Sequence, residues 1–350
     1  MRLLIVMPSW VGDAVMATPV LRLLRDNLPG AFIGGLVRPG IEEVLAGTTA
    51  FDELHVERAS GVMGPKHAAA KVRPRRYDTA LLLTNSFSTA LITRIAGIPR
   101  RIGYSRDARS VLLTDRLEAP RQGTGRRAPI PAVGYYYHAG RFLLDPRTPR
   151  RPDAALPPDV RLELATTQAE RDEASRILSE AGIDGGTPLG ILNPGGNNPA
   201  KRWPPDRFGA VGRHLIERHG MTVLVSGSPG ERELCDQIAS AIGAGATSLA
   251  SRGVRLASLK AVIQRSRIMI TNDTGPRHIA AAFDIPLVSL FGPTDPRWTT
   301  IPAPAGEEIL VADPTLPESE VADDHPDRCR IDRIETATVV AAVDRLLARA

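Results

Sequence analysis

Arg2-Leu-Leu-Ile-Val-Met-Pro-Ser-Trp-Val-Gly-Asp13 opens the chain with an apolar run, a loop containing proline and glycine, and a carboxylate. The run has no period-two alternation. It predicts a strand over Arg2–Met7 that is buried on both faces, as in a parallel sheet covered by helices. An amphipathic helix is predicted from Asp13 to Asn27, with Gly12 easing the turn into it. Asp13 would then stand at a helix start, beyond the carboxyl end of the strand. Two readings of it stay open: a cap for orphan N–H groups, or a general base at the mouth of a site. No Gly-x-Gly-x-x-Gly follows the strand and no P-loop is present. This argues against hydride transfer and against nucleotide triphosphate hydrolysis.

Strand and helix signals alternate outward from this segment. Strands are predicted at 31–37, 51–56 and 79–83, with helices at 41–45, 86–96 and 133–144. Residues 146–158 are rich in proline and read as a linker. After it come a strand at 161–165 and a helix at 167–181 with Thr166 or Thr167 as N-cap. The second half repeats the pattern. Its strands fall at 189–193, 222–226, 268–271 and 287–290. Its helices fall at 205–218, 231–242, 256–264, 275–283 and 336–348. The expectation is two doubly wound α/β domains, 1–165 and 166–350, facing a central cleft, with ligands beyond the carboxyl ends of the strands. The last helix is expected to pack back on the N-terminal domain.

The chain has 350 residues, enough for two cores, and its 43% hydrophobic and 24% charged residues are ordinary for a globular protein. No signal peptide is legible and no segment approaches the ~20 apolar residues of a membrane helix. Cys235 and Cys329 are the only cysteines, giving neither a disulfide framework nor zinc-ligand spacing. A cytoplasmic protein is therefore expected. The net charge of +5 is uneven: residues 60–130 hold fourteen Lys and Arg against four Asp and Glu. These include Lys66, Arg94, Arg101, Arg109, Arg116, Arg121, Arg126 and Arg127. Either this is a solvated face, or it meets an acidic partner such as an anionic lipid surface or a phosphorylated glycan. Few aromatic residues interleave with the arginines, which disfavours nucleic acid.

Two turns carry most of the remaining chemistry. Asn193-Pro-Gly-Gly-Asn-Asn-Pro-Ala-Lys-Arg-Trp-Pro204 lies between a strand and a helix. Its glycines allow a backbone nest that can approach phosphate oxygens, with Gly196 and Asn197 as donor-binding candidates, and Lys201 could supply a point charge to a diphosphate. The plainer alternative is a turn with a surface lysine. Thr271-Asn-Asp-Thr-Gly-Pro-Arg-His-Ile-Ala280 is again strand, turn and helix. Asp273 or Thr274 can cap that helix, whose N-terminus from Gly275 suits an anion. His278 lies a turn inside, and a packing role is at least as reasonable as a chemical one. Glu231, at another helix start, either complements the helix dipole or holds ribose hydroxyls. No Asp-x-Asp pair occurs, so no metal-bridged diphosphate site is expected.

Taken together the chain resembles the ADP-heptose:lipopolysaccharide heptosyltransferases of glycosyltransferase family 9. The likeness rests on Pro8-Ser-Trp-Val-Gly-Asp13, Ala96-Gly-Ile-Pro-Arg-Arg-Ile-Gly103, Pro194-Gly with Ala200-Lys-Arg-Trp-Pro204, Asn272-Asp-Thr-Gly with His278-Ile-Ala-Ala, and Phe291-Gly-Pro-Thr-Asp-Pro296. It spans nearly the whole chain. The Ser-Trp-Val-Gly-Asp form is closer to the type II than to the type I members. Departures are the single cysteine near the C-terminus, Cys329, the Arg- and Pro-rich segment 119–131, and Pro276-Arg277 after Asp-Thr-Gly.

The resemblance implies a GT-B fold of two Rossmann-like domains, an N-terminal one for the acceptor and a C-terminal one for a nucleotide sugar. It implies Asp13 as catalytic base, Lys201 on the donor's phosphates, Glu231 near the nucleoside, and Asp273, Thr274 and Gly275 on the heptose and diphosphate. It implies inversion at the anomeric carbon without metal or cofactor, and a lipid-linked acceptor, the lipopolysaccharide inner core. The expectation is a monomer, peripheral at the inner face of the inner membrane. Rival readings are a GT-B transferase using another nucleotide sugar and a non-catalytic nucleotide-sugar binding protein. A donor panel discriminates the first, and loss of Asp13 or Lys201 would mark the second.

Overall fold

The computed structural model describes all residues except 59, 121–128, 154–155, 184 and 350. The chain divides into two compact units, Met1–Ala165 with Trp298–Thr300, and Thr166–Arg297 with Ile301–Ala350. Arg121, Arg126 and Arg127 lie outside the described residues.

The first unit contains strands β1 (Arg2–Val6), β2 (Phe32–Val37), β3 (Glu53–Val56), β4 (Thr79–Leu82), β5 (Arg100–Tyr104) and β6 (Asp115–Leu117). Its helices are α1 (Val11–Met16), α2 (Thr18–Asn27), α3 (Ile41–Leu45), α4 (Gly64–Val72), α5 (Phe87–Ile95) and α6 (Ala132–Leu144). All strands pair in parallel, in the order β3-β2-β1-β4-β5-β6. β1 is central, and Leu3, Leu4 and Ile5 are completely buried, as a parallel strand covered on both faces requires.

The helix expected over Asp13–Asn27 is two helices. Pro19 has no N–H for the Val15 carbonyl, and the Thr18 hydroxyl donates to that carbonyl instead, at 2.7 Å. The chain bends at Ala17 and restarts with Pro19 in the first turn of α2. Gly12 sits inside α1 and is not among the glycines with positive φ, so no left-handed turn depends on it.

The second unit contains β7 (Leu189–Asn193), β8 (Thr222–Val225), β9 (Ala246–Ser248), β10 (Ser266–Asn272), β11 (Leu287–Phe291) and β12 (Glu307–Val311). Its helices are α7 (Gln168–Glu180), α8 (Pro205–His219), α9 (Arg232–Ile242), α10 (Leu256–Gln264), α11 (Gly275–Ala282) and α12 (Thr336–Leu347). The parallel order is β12-β11-β10-β7-β8-β9. Thr167 caps α7 in a reciprocal box with Glu170. The strand expected at 161–165 does not form; that stretch is irregular. The final helix, expected against the N-terminal domain, buries Val339, Ala342, Val343 and Leu346 in the core of the second unit with Trp203, Phe208 and Val288. Its apolar stripe matches the face left open by α8, β11 and β12.

Each sheet reverses direction of growth once, between β1 and β4 in the first and between β7 and β10 in the second. Loops leaving adjacent strands at such a point run to opposite faces and open a crevice at the carboxyl edge. The singled-out turns follow β1 in the first unit and β7 and β10 in the second.

Candidate active site

At the reversal in the first unit, α1 begins at Val11 and places Asp13 in its first turn. The phenol of Tyr136, on α6, donates to Asp13 Oδ1 at 2.8 Å. Tyr136 is buried, and burial together with the Asp13 charge holds its phenol well above the usual range. It therefore stays a donor at neutral pH and orients the carboxylate. Tyr135 stacks on Tyr104 with centroids 3.6 Å apart and donates to Asn85 Oδ1 at 3.0 Å, in the loop after β4. By sequence pattern these tyrosines belong only to the helix predicted over 133–144. Three consecutive tyrosines in a chain with 4% aromatic residues were the available signal.

Beneath this layer lies Arg109, whose side chain is fully buried. Its guanidinium donates to the carbonyls of Thr84 and Tyr104 and to Asn85 Oδ1. Burial lowers its pKa to about 10, which leaves it charged at neutral pH. Arg109 is thus removed from the basic face expected over residues 60–130. Arg101 is also engaged, donating to the carbonyls of Leu112, Ile98 and Pro99. Lys66, Arg94 and Arg116 remain exposed.

At the reversal in the second unit the two expected donor turns meet. Lys201 Nζ lies 2.9 Å from Asp273 Oδ2, so the lysine is not a simple surface charge. The Asp273 side chain is 8% exposed, and Arg277 approaches its other oxygen at 3.8 Å. Burial alone would raise the Asp273 carboxyl, but the Lys201 and Arg277 charges outweigh it and hold the group below the usual carboxylate range. Trp203 fixes the lysine loop. Its indole is buried against Phe208 and donates to the Ile334 carbonyl at 2.9 Å. Asn272 holds the same loop, donating to the Pro194 carbonyl at 2.7 Å and accepting from the Trp203 amide at 3.3 Å.

Thr274 occupies the N-cap position of α11, but its hydroxyl does not cap the helix. It accepts from Asn193 Nδ2 at 2.8 Å instead. The N-terminal amides from Gly275 onward therefore have no side-chain cap from Thr274, an arrangement suited to an anion. Asn193 and Asn272, the last residues of β7 and β10, thus lock the two loops together. The sequence signal for them was an amide at the end of each buried strand.

Glu231 is neither a bare dipole partner nor an open carboxylate. Its Oε1 accepts from the Gly196 amide at 2.7 Å, and its Oε2 accepts from the Ser228 amide and hydroxyl at 2.8 Å. Burial would raise this carboxyl, but the amides of Ser228 and Gly196 outweigh it and hold it low. The Gly196 amide is consequently committed to Glu231 and is not part of an empty nest. A Cβ on Gly195 would stand 2.4 Å from Glu231 Oε1, so the close approach of these loops requires glycine there. Asn197 is exposed.

His278 is buried, and burial, then Arg277, lowers its pKa to about 3. It is neutral at physiological pH, and its Nδ1 is buried without a hydrogen-bond partner. Arg277, one of the departures from the family pattern, is fully buried and forms a bidentate pair with Glu307 at 2.7 and 3.0 Å. Thr294 approaches Asp273 Oδ2 at 3.4 Å, while Asp295 accepts from Arg297 and the Ala322 amide and braces its own loop. Cys235 is buried, and burial pushes its thiol up to about 12, which leaves it inert.

Residues 67–323 match glycosyltransferase family 9 (heptosyltransferase). The chain is 29% identical over 315 residues to lipopolysaccharide heptosyltransferase 2 of Salmonella typhimurium, covering 85% of both chains. Among solved structures it is similar to ADP-heptose lps heptosyltransferase II of E. coli, with TM-score 0.80, 26% identity and coverage of 100% and 99% of the two chains. A family 9 glycosyl transferase of Veillonella parvula shares the fold at TM-score 0.84 and 21% identity, with coverage of 100% and 98%.

Proposed function

The chain belongs to glycosyltransferase family 9, and from that premise we propose that it transfers heptose from ADP-heptose to the inner core of lipopolysaccharide. The observation that carries this reading is the junction of Lys201, Asp273, Thr274 and Asn193 at the strand-order reversal of the second unit. A cation, a helix N-terminus and a carboxylate lie together there, which suits a sugar diphosphate.

In this reading Lys201 and the α11 N-terminus stabilise the departing ADP. Asp273 faces the sugar hydroxyls, and Glu231 shapes the nucleoside end by joining the loops of Gly196 and Ser228. In the first unit Asp13, oriented by Tyr136, takes the proton from the acceptor hydroxyl. Displacement is in-line with inversion through an oxocarbenium-like transition state. His278 stays neutral and acts by packing. No metal or cofactor takes part: Asp273 is already compensated by Lys201 and Arg277, and no Asp-x-Asp pair is available to bridge a diphosphate. Lys66, Arg94 and Arg116 face acceptor phosphates or anionic lipid, with the protein a monomer peripheral to the inner face of the inner membrane. Among the described residues no helix is long and apolar enough to cross a membrane.

A thermal-shift panel with ADP-heptose, ADP-glucose, UDP-GlcNAc and GDP-mannose, followed by transfer to a core acceptor, tests the reading. ADP-heptose should give the largest shift and the only transfer. A larger shift with a UDP or GDP sugar overturns the donor assignment, and binding without transfer to any core acceptor overturns the activity.

A further inference from the structure

We propose that the second unit carries a structural site for a zinc-class divalent cation, formed by His214 and His219 of α8 and Asp344 of α12. His214 Nε2 and His219 Nε2 each lie 2.7 Å from the same oxygen, Asp344 Oδ1. The two rings are 5.3 Å apart at 71°, and three ligand atoms, one from each residue, all fall within 4.8 Å of one another. The histidines stand at i and i+5, and side chains at that spacing leave an ideal helix on different faces. They converge here because His219 is the last residue of α8, followed by Gly220 at φ 61°. Two imidazole nitrogens of α8 therefore meet one carboxylate oxygen of α12.

Chemistry selects the cation. Imidazole favours zinc-like ions over magnesium or calcium, which demand oxygen ligands. Tetrahedral zinc with bonds of ~2.0–2.1 Å separates its ligand atoms by about 3.3 Å. The present contacts are shorter, as hydrogen bonds are, and small side-chain rotations would open them to that spacing. The His214 and His219 side chains are 23% and 22% exposed, and Asp344 is 46% exposed, so an ion has access and water can complete the shell.

The site is separate from the donor loops. His214 and His219 lie nine and fourteen residues beyond Pro205, about 14–21 Å along α8 at 1.5 Å per residue. That is the amino edge of the sheet. Its consequence is mechanical: a bound ion would pin α12 to α8 beside the buried contacts of Val339, Ala342 and Val343. Turnover would not depend on it directly.

The test uses the tag-free full chain, stripped with EDTA and titrated with Co2+ as a spectroscopic substitute and with Zn2+ in competition. One Co2+ per chain should give the intense visible bands of a four-coordinate site, displaced by Zn2+, and Zn2+ should raise the unfolding temperature. His214→Gln, His219→Gln and Asp344→Asn should each weaken binding more than about tenfold, since even second-shell changes act on that scale. ADP affinity should remain at the wild-type level. Absence of the bands in the wild type, or equal binding in the variants, overturns the site. If one variant fails to fold, the other two and the wild-type spectrum still decide.

Discussion

Replacing Lys201 by alanine tests the donor site at its most informative contact. In the free protein the ammonium pairs with Asp273 at 2.9 Å, with side chains 23% and 8% exposed. Removing one partner of a fully buried pair costs ~3–5 kcal/mol, whereas exposed pairs contribute ~0–1 kcal/mol. Lys201 is partly open, and Arg277 at 3.8 Å continues to compensate Asp273. A loss of about 1–2 kcal/mol is therefore expected, or roughly 3–6 °C in Tm for a domain of this size. The donor effect adds to it. A charge-assisted contact to phosphate is worth ~1.5–3 kcal/mol, so ADP affinity should fall about tenfold or more. Adenosine, which lacks the diphosphate, should bind as before.

Thermal unfolding and isothermal titration with ADP and adenosine measure both quantities on one preparation. Asp273→Asn supplies the opposite perturbation. It frees the lysine, so ADP affinity should hold or rise while ADP-heptose affinity falls. Equal losses for ADP and adenosine in Lys201→Ala would mean that the lysine only supports the loop. An unchanged Tm with unchanged ADP binding would refute both the pair and the assignment of the diphosphate.

Asp13→Asn should reduce transfer by ~10²–10⁴-fold with donor binding near wild type; a variant with more than about a tenth of wild-type activity would rule out the base role. Tyr136→Phe removes a donor to the Asp13 carboxylate, so the acid limb of kcat/KM should move to higher pH; an unmoved limb would show that Tyr136 does not tune the base. Transfer should persist in EDTA, and loss of turnover restored by magnesium or manganese would overturn the metal-independent mechanism. His278, with its folded pKa lowered to about 3, is neutral in the fold and takes up a proton on unfolding once the pH drops below ~6.5. Stability from this group is complete above that value and declines below it, by about 1 kcal/mol between pH 6 and 5. Urea titrations of wild type and His278→Gln at pH 7, 6 and 5 should diverge by that amount, and parallel pH dependences would contradict the buried neutral state.

Much of the fold was legible because its signals are local. Apolar runs such as Leu3-Leu-Ile-Val6 and Met269-Ile-Thr271, set between helical periods, require parallel strands covered on both faces. Glycine, proline and capping residues placed the turns at the carboxyl ends of those strands, which located Asp13, Lys201 and Asp273. The strands that escaped notice were β5, β6, β9 and β12. β5, β6 and β12 begin with charged residues, β6 and β9 have three residues each, and β6, β9 and β12 lie at sheet edges, where the demand for apolar side chains is weakest. Helix α4 also escaped, since Gly64-Pro-Lys-His-Ala-Ala-Ala carries little apolar periodicity.

What tertiary structure alone decided is pairing over long separations. The sequence by itself specified which residue types stand at the strand ends, and it identified the family through their ordered spacing. It did not contain the Lys201–Asp273 pair across 72 residues, or the Tyr136 donor to Asp13 across 123. Nor did it separate Arg109, buried against three acceptors, from Arg94 and Arg116 in solvent. A side chain's identity sets the charge it brings, whereas burial and partner are set by the strand order, and strand order arises from packing among all the elements at once.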